Sequence, residues 1–486
     1  MTDPPFGFGL PGDRDRDPDD SGNSPGGGGP GGPGGGPGGP GGPLGPLGGM
    51  GGLGDPQQFA DALRQFADLM SWQGGPVNWD LAKNVARQTV AARGDASIFE
   101  SDRRKVVEAL RTADLWLEEA ATLPTGIRIA QAWSRAEWVE ATLPVWSKLT
   151  DPIAGRAVDA MGGIISADPD EIAEELPPEM RSVMSALTGG LGALGGLGQM
   201  MRRIGGLMVG GQVGAAVGAL AQEVVSSTDV GLPLGPAGTA ALLPAGVKAF
   251  GDGLSVSDDE VRLFLALREA AHHRLFAHVP WLRARLLDAV EDYARGITVD
   301  AHALREAMPQ IDPANPEALS EALSGAALFQ PEDTEQQKAA LARLETVLAL
   351  VEGWVATVVD AAAADRLPQA GALAEAIRRR RASGGPAERA FATLVGLELR
   401  PRRLREAAAI WRGLTDVRGA EGRDAIWAHP DLLPTPEDFD DPGGFVRGRP
   451  DFDISDLEQP PEQQAREQQP PSQEPGPGDD SPDDGA

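Results

Sequence analysis

Apolar residues recur at three- and four-residue spacing through most of the chain, and strict alternation is absent, so the pattern predicts helices and no extended strands. Phe59, Leu63, Phe66 and Met70 mark a first amphipathic helix, and after a loop at Gly75-Pro76 helices are expected over 79–92 and 100–121. The second of these carries Val106, Val107, Leu110, Leu115 and Leu117. The clearest start signal is Ser257-Asp258-Asp259-Glu260, in which a serine caps the first amides and a glutamate three residues on reaches back. Val261, Phe264, Leu265, Ala271 and Leu275 follow at helical spacing until Pro280, which predicts a helix over 258–278. Further helices are expected over 281–295, 300–308, 316–325, 333–365 and 368–382. A last helical stretch at 387–414 bends near Arg400-Pro401.

Two stretches need a reading of their own. Gly206, Gly210, Gly214 and Gly218 fall every fourth residue, which strips one helical face of side chains and lets another backbone approach closely. The apolar run from Ile204 to Ala221 is at the short limit for a membrane span and is interrupted by Gln212, so it reads as a buried helix without membrane contact. Trp116, Trp133, Trp138 and Trp146 crowd together, and they read as the core of a helical lobe more readily than as an aromatic binding surface. The Gly-, Pro- and Ala-rich segment 229–256 reads as an ordered loop or short-helix connection that borders a cleft.

Composition bounds the ends and the partners. Residues 1–55 are Gly- and Pro-rich and 452–486 are rich in Glu, Gln, Pro and Asp; both lack the apolar content that offsets ordering entropy and are expected to be disordered. The segment 56–451 is then one helical domain or two tightly packed lobes. Acidic residues outnumber basic ones 72 to 43, and the formal charge of −29 argues against nucleic acid as a partner. Cysteine is absent, which excludes disulfides and thiolate metal sites. No basic, apolar leader opens the sequence, so the cytoplasm is the expected compartment.

The helix over 258–278 carries the candidate chemistry. Zinc hydrolases often bear His-Glu-x-x-His on a helix, because positions i and i+4 share a face and hold one metal while the glutamate activates water. Here Arg268-Glu269-Ala270-Ala271-His272 keeps the second half, but Arg268 stands at the first ligand position, and a guanidinium has no lone pair to give. The longer run Arg268 to Trp281, Arg-Glu-Ala-Ala-His-His-Arg-Leu-Phe-Ala-His-Val-Pro-Trp, resembles an actinobacterial zincin-like family of hydrolases and zinc-dependent metalloproteases. A sister group is associated with deazaflavin coenzyme biosynthesis. Leu394 to Arg405, Trp427 to Pro434 and the shorter Gly75 to Asp80 extend the resemblance over roughly 57–448.

The resemblance implies a mainly α, zincin-like domain, zinc as cofactor and a peptide or protein substrate. It implies His272 and Glu291 as metal ligands, with Glu269 as general base and Tyr293 as a group able to stabilise an oxyanion. Counting ligands leaves that set one short of three, because neither His273 nor His278 lies on the face of His272; His302 or Asp292 could approach through the fold. The competing reading is a buried ion pair of Arg268 with Glu269, Glu291 or Asp292, with His272 bonded into the same network and a non-catalytic cleft that binds a peptide or protein. Arg400, Arg402 and Arg403, like the run Arg378 to Arg381, are candidate anion-binding residues if they are not solvated or locally paired. His429, before Pro430, reads as a hydrogen-bonded helix-end residue.

Overall fold

A computed structural model describes residues 72, 75–167, 195–295, 297–298, 330–331, 334–382 and 403–448. Both tails, the expected helices at 59–70, 300–308 and 316–325, and the bend at Arg400-Pro401 lie outside these residues. All the described residues belong to one unit, Pro43–Ala486.

Helix α1 (Trp79–Arg93) starts where the Asn78 side chain accepts from the Leu81 amide at 2.9 Å, and ends at Gly94 with φ 91°. Its buried face is made of Ala82, Ala86 and Val90, small residues that leave room for a close neighbour. Helix α2 (Glu100–Leu117) follows, burying Val106, Leu110, Ala113 and Leu117. A short strand β1 (Ile129–Ala132) leads into the long α3 (Arg135–Ala167), which buries Trp138 and Trp146. Trp133, just before it, is buried too, so three of the four expected tryptophans are core, while Trp116 is half-buried with Arg366 over its ring.

Helix α4 (Gly195–Leu220) carries the glycine stripe against α1. A Cβ added at Gly210 would sit 2.6 Å from the Asn78 carbonyl oxygen and one at Gly218 2.8 Å from that of Ala86; at Gly214 it would strike the Ala82 carbonyl oxygen. The two backbones therefore touch without intervening side chains, and the Asn78 amide donates to Gly206 O at 3.0 Å. The segment expected as a connection at 229–256 contains β2 (Thr239–Leu242) and α5 (Pro244–Gly251). Strand β2 pairs parallel with β1, Ile129 opposite Thr239 and Ala132 opposite Leu242. Neither four-residue strand alternates, which is why helical periodicity hid them.

The chain then enters α6 (Asp258–His278), where Ser257 accepts from the Glu260 amide and bonds the Glu260 carboxylate through its hydroxyl. The sequence pattern suggests an apolar stripe on this helix, but every residue from Phe264 to Leu275 is buried. Helix α6 packs against α2, α5 and β2, and against three later helices: α7 (Pro280–Arg295), α8 (Glu335–Ala363) and α9 (Ala370–Ala382). Two-residue strands β3 (Ile297–Thr298) and β4 (Gln330–Pro331) pair antiparallel between α7 and α8. Helix α8 is long and apolar enough to cross a membrane, yet 78% of its most apolar window is buried inside the protein, as befits a core helix. Helices α10 (Leu404–Asp424) and α11 (Pro442–Arg447) close the described chain.

The glycine stripe makes a paired prediction. Gly214→Val forces α1 and α4 apart and should lower stability by about 2–3 kcal/mol, whereas Gly371→Ala on α9, where an added Cβ meets open space, should be neutral or slightly stabilising. Denaturant midpoints of both variants check this.

Candidate functional site

Burying α6 on all sides creates a problem for its polar residues, because Arg268, Glu269, His272, His273 and Arg274 all lie within the buried run. Each has at least one partner inside the protein, although Arg274 Nε has none. Arg274, fully buried, donates to Leu123 O at 2.5 Å, to Asp114 O and Oδ1 at 2.7 and 2.8 Å, and to Glu118 Oε1 at 2.8 Å. That guanidinium fastens α6 to the end of α2 and the loop behind it.

Glu269, 1% exposed, faces β2 and the loop before it. Its Oε2 accepts from the Thr228 hydroxyl at 2.5 Å and the Thr228 amide at 3.2 Å. Its Oε1 accepts from the Ser227 hydroxyl, from the Ala241 amide at 3.1 Å and from His273 Nε2 at 3.2 Å. Burial alone would raise this carboxyl, but His273, Ser227 and Thr228 outweigh it and bring its pKa down to about 2. Five donors surround the Glu269 carboxylate and favour its charged form. In this arrangement Glu269 anchors α6 to β2. Ser227 and His273 lie 3.4 Å apart but share Glu269 as acceptor, so they form part of this cage.

Arg268 and His272 point the other way, to Glu352 on α8. Arg268 Nη2 donates to Glu352 Oε2 at 2.6 Å, and His272 Nε2 lies 3.0 Å from Glu352 Oε1. His272 Nδ1 donates to the Arg268 carbonyl at 2.8 Å, one helical turn back, and its ring stacks on Phe276. From the last turn of α9, Arg381 Nη2 donates to Glu352 Oε1 at 2.7 Å and to Asp229 O at 3.2 Å. Arg380 takes both Asp229 carboxylate oxygens at 2.9 and 2.8 Å. Burial would raise Glu352, but Arg381, His272 and Arg268 hold it well below the usual carboxylate range; Arg380 and Arg381 likewise outweigh burial at Asp229 and lower it. A cavity of about 10 Å³, room for one water molecule, is lined by Val225, Ser226, Asp229, Leu265, Arg268, His272 and Arg381.

Several expected site residues are elsewhere. Glu291 is exposed on α7, and the carboxylate that meets His272 is Glu352. Tyr293 is buried among apolar side chains and does not line the cavity. The ion pair expected for Arg268 exists, but with Glu352 instead of Glu269, Glu291 or Asp292; Asp292 faces Arg343 at 3.4 Å. His278 bonds Thr125 O, and His429 accepts from the Asp431 amide at a 3₁₀ turn. Arg403 pairs with Asp440 and lies over Phe439, so it is locally matched; Arg400, Arg402 and His302 lie outside the described residues.

Zinc does not fit this donor set. Catalytic zinc takes three protein ligands, whereas the cluster holds one imidazole, a Glu352 carboxylate already gripped by two guanidiniums, and an Asp229 held by a third. Among the described residues no group of three or more His, Asp or Glu is placed to hold a metal ion. Two residues of the cluster had a signal in the sequence: Glu352 is the lone charge between Glu345 and Asp360 in an otherwise apolar stretch, and Arg381 ends the arginine run.

The cage around Glu269 has a pH signature. Its folded pKa lies below the ordinary glutamate value of 4.5, so its stabilisation is complete above that value and is lost as pH falls from there toward about 2. Glu269→Gln should therefore lower stability by about 3 kcal/mol at pH 7, with the gap to the parent protein narrowing below pH 5 and closing only toward about pH 2, read from urea midpoints across that range.

Two of the segments that carry the sequence resemblance, 268–281 and 427–434, meet in space. Trp281 stacks on Trp427 with ring centroids 6.1 Å apart and donates to its carbonyl at 3.1 Å, and Trp427 stacks in turn on Trp411 at 5.2 Å. No curated protein matches the chain. A crystal structure from Chloroflexus aurantiacus, described as that of a proposed hydrolase with a novel fold, is similar at 18% identity with a TM-score of 0.51, covering 76% of this chain and 98% of that one. At that identity the likeness is one of fold. The family model of the zincin-like metallopeptidases matches residues 77–446, and the chain belongs to that family.

Proposed function

We propose that this chain is a member of a metallohydrolase family that binds a peptide or protein in its cleft instead of cleaving it. One observation carries the reading: Glu352 accepts from Arg268 and Arg381 and faces His272 Nε2, so the residues at the motif positions neutralise one another. Arg268 occupies the first ligand position, where its fixed positive charge opposes a divalent cation. Glu269 is spent on the cage around it. The acidic balance of the chain, −29, favours peptide or protein over nucleic acid as partner.

A zinc-dependent, peptidase-like hydrolase is the second reading, in line with the family and favoured by the orientation of His272. Its Nδ1 donates to a backbone carbonyl, which is how ligating imidazoles are commonly fixed with Nε2 turned to the metal.

Elemental analysis of the purified chain separates the two. The proposal expects zinc far below one per chain after incubation with excess metal, unchanged in His272→Ala and Glu352→Ala. Zinc near one per chain, lost in both variants and accompanied by peptide hydrolysis, would overturn it in favour of the second reading.

A further inference from the structure

Three guanidiniums, those of Arg268, Arg380 and Arg381, converge on two buried carboxylates, Asp229 and Glu352. Glu223 also acts on Arg380, and Asp360 on Arg268, so further acidic groups surround the cluster. Asp229 is saturated, its oxygens taken by Arg380 and by the Val225 amide at 3.1 Å. Arg268 and Arg381 are not. Arg268 gives only Nη2 to Glu352, and its Nε and Nη1 donors meet no protein partner among the described residues and are not among the fully buried atoms, so they reach solvent. Arg381 gives only Nη2, to Glu352 and to Asp229 O, and leaves the same two nitrogens without a partner among the described residues. Both side chains line the water-sized cavity, with Val225 and Leu265 as its apolar walls.

We propose that Arg268 and Arg381 form a carboxylate-binding site, with one ligand oxygen entering that cavity; the proposal rests on the binding reading above and names its ligand. Planar guanidiniums with spare donors are suited to a carboxylate. The carboxylates of Asp229 and Glu352 close by repel a phosphate dianion more strongly than a monoanion. The space fits one oxygen atom, so the rest of the ligand lies outside, on the side where Arg381 is partly exposed. Arg381 can adjust because α9 buries just two of its own side chains, Leu373 and Ile377. The carboxylate has three sources of the same chemistry: the C-terminus of a peptide, an acidic side chain, or the Asp- and Glu-rich segment 452–486 of this chain.

Isothermal titration of the full chain tests the site with three probes: N-acetyl-Ala-Ala-Leu as free acid, N-acetyl-Ala-Glu-Leu amide, and a synthetic peptide of residues 452–486. N-acetyl-Ala-Ala-Leu amide, which has no carboxylate, is the control. At least one carboxylate probe should bind about ten-fold or more tightly than the control, with that advantage lost in Arg381→Ala and in Arg268→Ala and partly kept in Arg381→Lys. The probe that binds best identifies the source. Circular dichroism verifies folding, and the partly exposed Arg381 keeps the test open if Arg268→Ala does not fold. Equal binding of the carboxylate probes and the control, no heat from any of them at millimolar concentration, or an advantage that survives Arg381→Ala overturns the site. Those outcomes leave the zinc-free reading standing, since it fails on zinc content and hydrolysis.

Discussion

A helix buried around its whole circumference must neutralise every charge it carries within the protein, and α6 carries four charged or titratable side chains in one turn and a half, from Arg268 to His273. They divide into two opposed networks. Glu269 and His273 turn to β2 and the loop before it, while Arg268 and His272 turn to Glu352 on α8. Much of the surrounding architecture serves this division. The two short strands position the Ala241 amide, α8 brings one carboxylate into an apolar stretch, and the last turn of α9 delivers Arg380 and Arg381. Removing one partner of such a pair leaves a charge uncompensated in a low-dielectric interior, which typically costs about 3–5 kcal/mol.

Most of the fold could be read from the chain because its helices are long, capped and periodic. The cap at Ser257, the break at Pro280 and the glycine stripe on α4 each name a local constraint that the structure obeys. The strands could not be read, since Ile-Ala-Gln-Ala and Thr-Ala-Ala-Leu hold no period of two and are defined by each other alone. The burial of α6 was equally hidden, because an apolar stripe and a fully enclosed helix differ only in what packs on the far side.

The site was half legible. The Arg268 to His272 pentapeptide marks the place, and the chemistry of arginine foretells an ion pair. Its partner lies 84 residues away on α8, whereas the family resemblance pointed to Glu291 as the carboxylate beside His272. Tertiary pairing of this kind leaves only an indirect trace, a lone charge in an apolar helix. Family membership and residue chemistry speak to different things: the first accounts for the fold around α6, the second for what its side chains can do.

The central claim is that Arg268 and Glu352 neutralise each other in place of a metal centre, and a double-mutant cycle tests it most directly. Urea unfolding of Arg268→Met, Glu352→Gln and the double variant, all with excess chelator, gives their coupling energy. The account predicts coupling of about 2–3 kcal/mol, with the double variant more stable than the sum of the single losses implies and the parent protein indifferent to chelator. Additive losses, or a parent protein that the chelator destabilises, would contradict it.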